Sequence, residues 1–238
     1  MIAARVSRFA HRWLALLVGL QLVAWAASGV YMTAVDLDFI HGDALVRNLE
    51  PPLDLGAVHV STAQALARFP GAHRATLRAL PTGGRAVYEI DGPSGVALID
   101  AATGRLLSPL GEADAAALGR AYYAGRGALR RVTLIETDPP IELQGRRLPL
   151  WRTDFDDWVA TSLYVDPDSG RLVVRRHRFW RWFDLLWSLH IMDYRERSDV
   201  NNTLLRIATG TAALFAASGL WLVAYSFRWR RTRRRVSP

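Results

Sequence analysis

The chain has 238 residues, half of them hydrophobic, with 30 basic residues against 22 acidic ones and a formal charge of +8. Every basic residue is Arg, and Cys is absent, which excludes a disulfide framework, thiolate metal sites and thiol nucleophiles. Nine of the arginines lie outside two apolar stretches near the chain ends and the remaining 21 nearly balance the acids, so the surplus charge reports topology and attraction to anionic lipid and gives no reason to invoke nucleic acid.

Arg5, Arg8 and Arg12 precede the first apolar stretch, Trp13 to Val35. It exceeds the roughly 20 residues a helix needs to cross a bilayer at about 1.5 Å rise per residue. A basic leader, an apolar run and Ala24-Trp25-Ala26 also resemble a cleavable signal peptide. The run continues past that point, however, which favours an uncleaved anchor. Inside it Gln21 and Ser28 are the notable polar residues, and Ala24/Ser28 has the small-xxx-small spacing of close helix contact.

A connector, residues 36–58, leads to a first folded unit at 59–126. Ser61 with Gln64 three residues later is a capping box opening a short helix that Pro70 ends. Runs at Thr76–Leu80, Ala86–Ile90 and Val96–Ile99, separated by Pro81-Thr82-Gly83-Gly84 and Asp91-Gly92-Pro93-Ser94-Gly95, predict an antiparallel meander. Glu112–Tyr123 is a second helical stretch, and Val132–Glu136 opens the strands of a second unit, 127–178. The units repeat: Asp100-x-x-x-Gly104-Arg105-Leu106 matches Asp166-x-x-x-Gly170-Arg171-Leu172. Tyr88-x-x-Asp91 matches Trp151-x-x-Asp154 with a three-residue slip that a longer hairpin in the second copy explains. Each unit is too small for a large core of its own, so the two pack on one another or on a membrane surface.

Residues 179–194 follow, where Phe183, Leu186, Trp187, His190 and Ile191 make one helical stripe behind Arg176, Arg178 and Arg181. The segment is too short and too charged to span, and reads as an amphipathic helix in the membrane interface. The second apolar stretch, Leu204 to Phe227 within a segment 203–227, ends in a basic tail, 228–238, with six arginines. By the positive-inside rule both termini, including residues 1–12, are cytoplasmic and the middle of the chain is exported. Ala26-Ala27-Ser28-Gly29-Val30-Tyr31 in the first stretch recurs as Ala216-Ala217-Ser218-Gly219-Leu220-Trp221 in the second. The expected fold class is therefore an α+β membrane protein, two transmembrane helices flanking a tandem domain of helix plus antiparallel strands.

A helix, strand, turn and strand closing on D-x-x-x-G-R-L between membrane helices resembles the PepSY domain. His11-Arg12-Trp13-Leu14-Ala15-Leu16 and Leu185-Leu186-Trp187-Ser188-Leu189-His190 resemble the flanks of PepSY-associated transmembrane proteins. The resemblance implies a bacterial inner-membrane protein with a periplasmic domain. It also implies two functional classes: haem-b redox components that support iron or siderophore reduction, and non-enzymatic modules that restrain peptidases or act as chaperones. The chain departs from the reductases in having two spanning helices where they have more.

Haem b held in a membrane needs two imidazoles at one depth. Of six histidines, His190, His11 and His41 are the candidates; His59, His73 and His177 read as surface or core residues. His11 sits at the cytoplasmic edge, and His41 and His190 beyond the outer edge, about 30 Å away. His190 is thus expected to pair with His41, and His11 with the His11 of a second copy or with a partner membrane protein. Asp154-Phe155-Asp156-Asp157 lacks calcium-loop spacing and reads as a hairpin turn. Neither GxGxxG after a strand, HExxH nor a Ser/His/Asp order is present.

Overall fold

The computed structural model describes the backbone of residues 2–143 and 145–234, and the side chains of residues 13, 15–143, 145–217, 219 and 220. The chain is α+β with two antiparallel sheets, and divides into a helical unit (residues 1–35 and 183–238) and a sheet unit, Asp36–Trp182.

In the helical unit, α1 runs Ile2–Ala34, and its segment Ala15–Ala34 is 20 residues long and apolar enough to cross a membrane. Leu16, Leu17, Leu20, Val23 and Val30 are exposed along it. A row of large apolar side chains left open to solvent is costly in water and natural in lipid. The closing helix α6 spans Thr203–Arg234, and among its described side chains the apolar run is the shorter Thr203–Ala217. Between them, α5 (Arg178–Ile191) crosses from one unit to the other. The loop from α5 to α6 is tied by Asp193, whose carboxylate accepts from the backbone N–H groups of Arg195, Glu196, Ser198 and Asp199. Those donors hold the Asp193 carboxyl below its usual range. Asn202 caps α6 by accepting from Leu205 N, and donates back to Ile191 O at 2.8 Å.

The sheet unit opens with a short helix, α2 (Leu37–His41), capped by Asp36. Helix α3 (Thr62–Ala67) has both hydrogen bonds of the Ser61/Gln64 capping box. The strands β1 (Arg74–Ala79), β2 (Ala86–Gly92) and β3 (Gly95–Asp100) form the first sheet in sequence order, each next to its neighbour as a tight turn requires. After α4 (Glu112–Tyr122), strands β4 (Ala128–Ile135), β5 (Leu150–Asp156), β6 (Ser162–Val165) and β7 (Leu172–Arg176) form the second sheet in the same order.

The two copies share the backbone of their turn: an Asp carboxylate accepts from the N–H two residues on, and a glycine N–H closes onto the Asp carbonyl. Asp100 Oδ1 accepts from Ala102 N and Thr103 N, and Gly104 N closes onto Asp100 O with φ +72°. Asp166 Oδ1 accepts from Asp168 N, and Gly170 N closes onto Asp166 O with φ +67°. Both glycines sit where a side chain would be strained. Downstream, Leu172 starts the full strand β7, whereas Leu106 makes only a single bridge to Ile99. The hairpin after β2 turns in Pro93-Ser94 while that after β5 takes Asp157–Thr161, three residues longer, which accounts for the slip between Tyr88/Asp91 and Trp151/Asp154.

The copies pack on one another through a shared core of Leu80, Val87, Leu98, Leu110 and Leu118 from the first with Val165 of the second, against which Trp151 and Leu172 also pack. Glu89, nearly buried on the first sheet, is gripped by Arg78 from β1 and by the guanidinium fork of Arg171 from the second copy. A carboxylate taken out of water in this way demands such partners. Gly119 lets α4 lie on β5, since a Cβ there would come within 2.7 Å of the Thr153 hydroxyl oxygen.

Candidate functional site

The helical unit brings one predicted residue into a specific setting. On the last turns of α5, His190 Nδ1 lies 2.9 Å from Oγ of Ser28, a buried residue of α1. That hydroxyl is also 2.9 Å from Ala24 O and 3.1 Å from Trp25 O. A carbonyl oxygen only accepts, so the hydroxyl proton goes to the helix backbone and the hydroxyl oxygen accepts Nδ1–H from the imidazole. In the neutral tautomer that fits this network, Nε2 of His190 is the ring nitrogen with the lone pair. A metal-ligating histidine has this form, one nitrogen held by an outer hydrogen bond and the other bare. The Ala24/Ser28 spacing predicts helix contact through small size, and what Ser28 contributes in addition is a hydrogen bond.

Trp25, one turn earlier on α1, sets its ring 6.4 Å from that of His190, and its indole N–H is buried without a partner among the described residues. Trp25 also lines a mostly apolar cleft of about 330 Å³ between Leu17–Trp25 of α1, Met192, and Leu204, Ile207, Ala208, Thr211 and Ala212 of α6. Gln21 is the other polar side chain of α1 on this cleft. A buried donor left unpaired costs about 1–3 kcal/mol. The site thus has one orphaned donor and one bare imidazole nitrogen near a small apolar cleft.

Ser28 is six residues from the end of α1, so the contact sets His190 level with a point roughly 9 Å along the helix axis from that end. The position of His11 along α1 is roughly 25 Å from Ser28, so one chain cannot bring the two imidazoles to one iron. The side chain of His11 itself lies outside those described.

The expected partner His41 belongs to the sheet unit, where it is exposed. One ligand atom each from Asp38, His41 and Asp43 fall within 4.8 Å of one another. Arg175 already occupies this cluster: it ion-pairs with Asp43 and donates to His41 O at 2.8 Å. An exposed imidazole between carboxylates suits water better than an apolar cofactor. His59 and His73 are exposed too. His177 is buried, and its Nε2 lies 3.0 Å from both Phe39 O and Ile40 O, so it donates to the α2 backbone. Burial, helped by the nearby Arg181 charge, holds its pKa below the ordinary 6.5 despite those carbonyls.

Sequence reasoning missed a polar network on the outward face of the second sheet. Glu142, nearly buried, receives two hydrogen bonds from Arg181 and one from the Tyr164 hydroxyl. Burial raises its carboxyl, but the hydrogen bonds from Arg181 and Tyr164 and the charges of Arg181 and Arg152 outweigh that and hold it below the usual range. Burial and the same carboxylate push the Tyr164 hydroxyl well up. Asp154 is taken by Arg152 and Ser162. Asp157 accepts from the Tyr123 hydroxyl, itself raised to about 12 by burial and by that hydrogen bond, and from Thr161. The expected turn is displaced: Asp154–Asp156 belong to β5 and the hairpin loop begins at Asp157, with Asp154 and Asp157 internally satisfied and Asp156 exposed. Only alternation on β5 hinted at this face, and the pairing of residues far apart in sequence carries no local signal. The chain matches no family model, no curated protein and no solved structure.

Proposed function

We propose that the chain is a PepSY-type protein of a bacterial inner membrane. In this reading α1 and α6 cross the bilayer, both termini are cytoplasmic, and the sheet unit is periplasmic. Arginines outside each apolar stretch support that orientation, as does the continuation of α6 as one helix to Arg234. Within that setting the chain serves a haem-b-bearing redox assembly for iron or siderophore reduction, in which His190 would hold the iron. The observation that carries this reading is the Ser28–His190 hydrogen bond, which engages Nδ1, with the Trp25 ring 6.4 Å away and its N–H buried without a partner among the described residues.

The residues present fit half of such a site. His190 would hold the iron, Ser28 would fix its ring, and Trp25 would offer a donor to a polar edge of the group. When bound, the haem supplies one-electron transfer. A second imidazole at this depth comes from a second copy's helices or from a partner membrane protein, which makes assembly part of the function. The test is an absorption spectrum of the detergent-solubilised full chain, oxidised and dithionite-reduced, after expression with haem supply. A Soret band that His190→Ala abolishes is expected. No band, or one that His190→Ala leaves unchanged, would overturn the redox reading.

A second reading, a non-enzymatic periplasmic interaction module, is favoured by the sheet unit itself. Its buried or half-buried carboxylates Glu89, Asp100, Glu142, Asp154 and Asp157 are all engaged in holding the fold. Such a domain presents a surface and spends its charges internally. Crosslinking in cells followed by purification should then recover a protease or an uptake component, and recovery of no partner would count against it.

A further inference from the structure

We infer that the outward face of the second sheet holds the phosphate of an anionic membrane phospholipid; the choice of lipid rests on the membrane reading above. Arg130, Arg131, Arg152 and Arg181 line a pocket of about 350 Å³ with Asp154, Thr161 and Ser162. Consecutive strand residues normally face opposite ways. Here Leu129 pairs with Phe155 and Arg131 with Asp154, so Arg130 is the extra residue of a β-bulge, and both arginines reach the same face.

The charge count leaves this pocket cationic. Arg181 is matched by Glu142 and Arg152 by Asp154, whereas Arg130 and Arg131 are exposed and make no hydrogen bond or ion pair among the described residues. Two unmatched guanidinium groups beside two fixed ones form the forked donor set that an oxyanion with several oxygens takes up. Ser162 and Thr161 spend their hydroxyl protons on Asp154 and Asp157, so selectivity rests on the arginines.

The rim says which phosphate. Ala160 and Thr161 line the pocket from the loop that carries Trp158, and Trp158 is 69% exposed. Its ring stacks on Phe39 at 6.3 Å and meets Phe179 edge-on at 5.5 Å. Leu37 and Trp182, near the two ends of the sheet unit, are exposed as well. An exposed tryptophan among aromatic neighbours, on the loop that also lines the arginine pocket, is the chemistry of the headgroup layer, where the ring enters the interface and the cations meet phosphate. A free phosphate ion would use the arginines and have no use for Trp158.

The test titrates the full chain in neutral detergent with short-chain phosphatidylglycerol, short-chain phosphatidylcholine and inorganic phosphate, by calorimetry. Phosphatidylglycerol should bind best, and R130S/R131S should weaken it at least about tenfold. Trp158→Ser should weaken the lipid and leave inorganic phosphate unchanged. Both arginines are exposed, so unaltered thermal unfolding is expected and separates lost binding from lost fold. Equal binding by wild type and R130S/R131S would overturn the site. Inorganic phosphate binding as tightly as the lipid, with no effect of Trp158→Ser, would overturn the lipid as its source. Release of the chain from membranes by carbonate would sink the membrane reading instead, while the phosphate arm still reports on the pocket. The Soret measurement is independent of both.

Discussion

The two units use a buried or half-buried histidine in opposite ways. In the sheet unit, His177 donates from Nε2 to the carbonyls of Phe39 and Ile40, and its remaining nitrogen, Nδ1, is buried without a partner among the described residues. In the helical unit, His190 meets Ser28 through Nδ1, and its ring lies 6.4 Å from that of Trp25, a residue that lines the cleft between α1 and α6. The same side chain is a strut in one place and, in the proposed reading, an iron ligand in the other. What distinguishes them is which nitrogen is tied and whether the other has anywhere to go.

The largest effect that sharpens this contrast is His190→Ala, which should remove the Soret band completely and leave the unfolding of the sheet unit untouched. His177→Ala should do the reverse. Loss of a buried ring with its hydrogen bonds costs about 3 kcal/mol, read as a lowered denaturant midpoint with the spectrum of the haem-loaded protein preserved. If both variants behaved alike in either assay, the contrast would be broken.

Ser28→Ala comes next. It deletes the group that holds Nδ1 and keeps the ligand itself, so haem affinity should fall about 10–100-fold, in the manner of other outer-shell losses. An affinity equal to wild type would mean that the hydroxyl merely fills space between helices. The smallest effect is in pH. The folded-state pKa of His177 lies below its ordinary 6.5, so as pH falls through 6.5 the unfolded chain takes up a proton that the folded chain refuses. Stability from this residue is therefore complete above that value and declines toward the lower folded pKa, by at most about 1.4 kcal/mol per pH unit. His177→Gln keeps a donor and cannot titrate, so the thermal midpoint should lose that part of its slope between pH 7.5 and 5.5.

Much of the sheet unit was legible in the residues. The capping box at Ser61/Gln64, the helix at Glu112, the meander and the repeated Asp-Gly turn all rest on interactions among neighbours in sequence, and local chemistry announces them. The strand at Val132 was placed late, because the bulge at Arg130 interrupts the alternation that would mark its start at Ala128. His190 was recognisable from its place on an apolar helical stripe, but its partner was not. Ser28 lies 162 residues away, and its spacing with Ala24 reads as helix packing.

The residues alone determined the apolar segments, the arginines that flank them, the class of fold and the tandem turn, because periodicity, charge and turn propensity act over a few residues. Tertiary structure alone decided that Ser28 reaches His190, that Arg171 of one copy grips Glu89 of the other, and that a bulge turns Arg130 and Arg131 to the same face. A pairing across the chain leaves no periodic trace, and it exists only once folding has brought the two groups together.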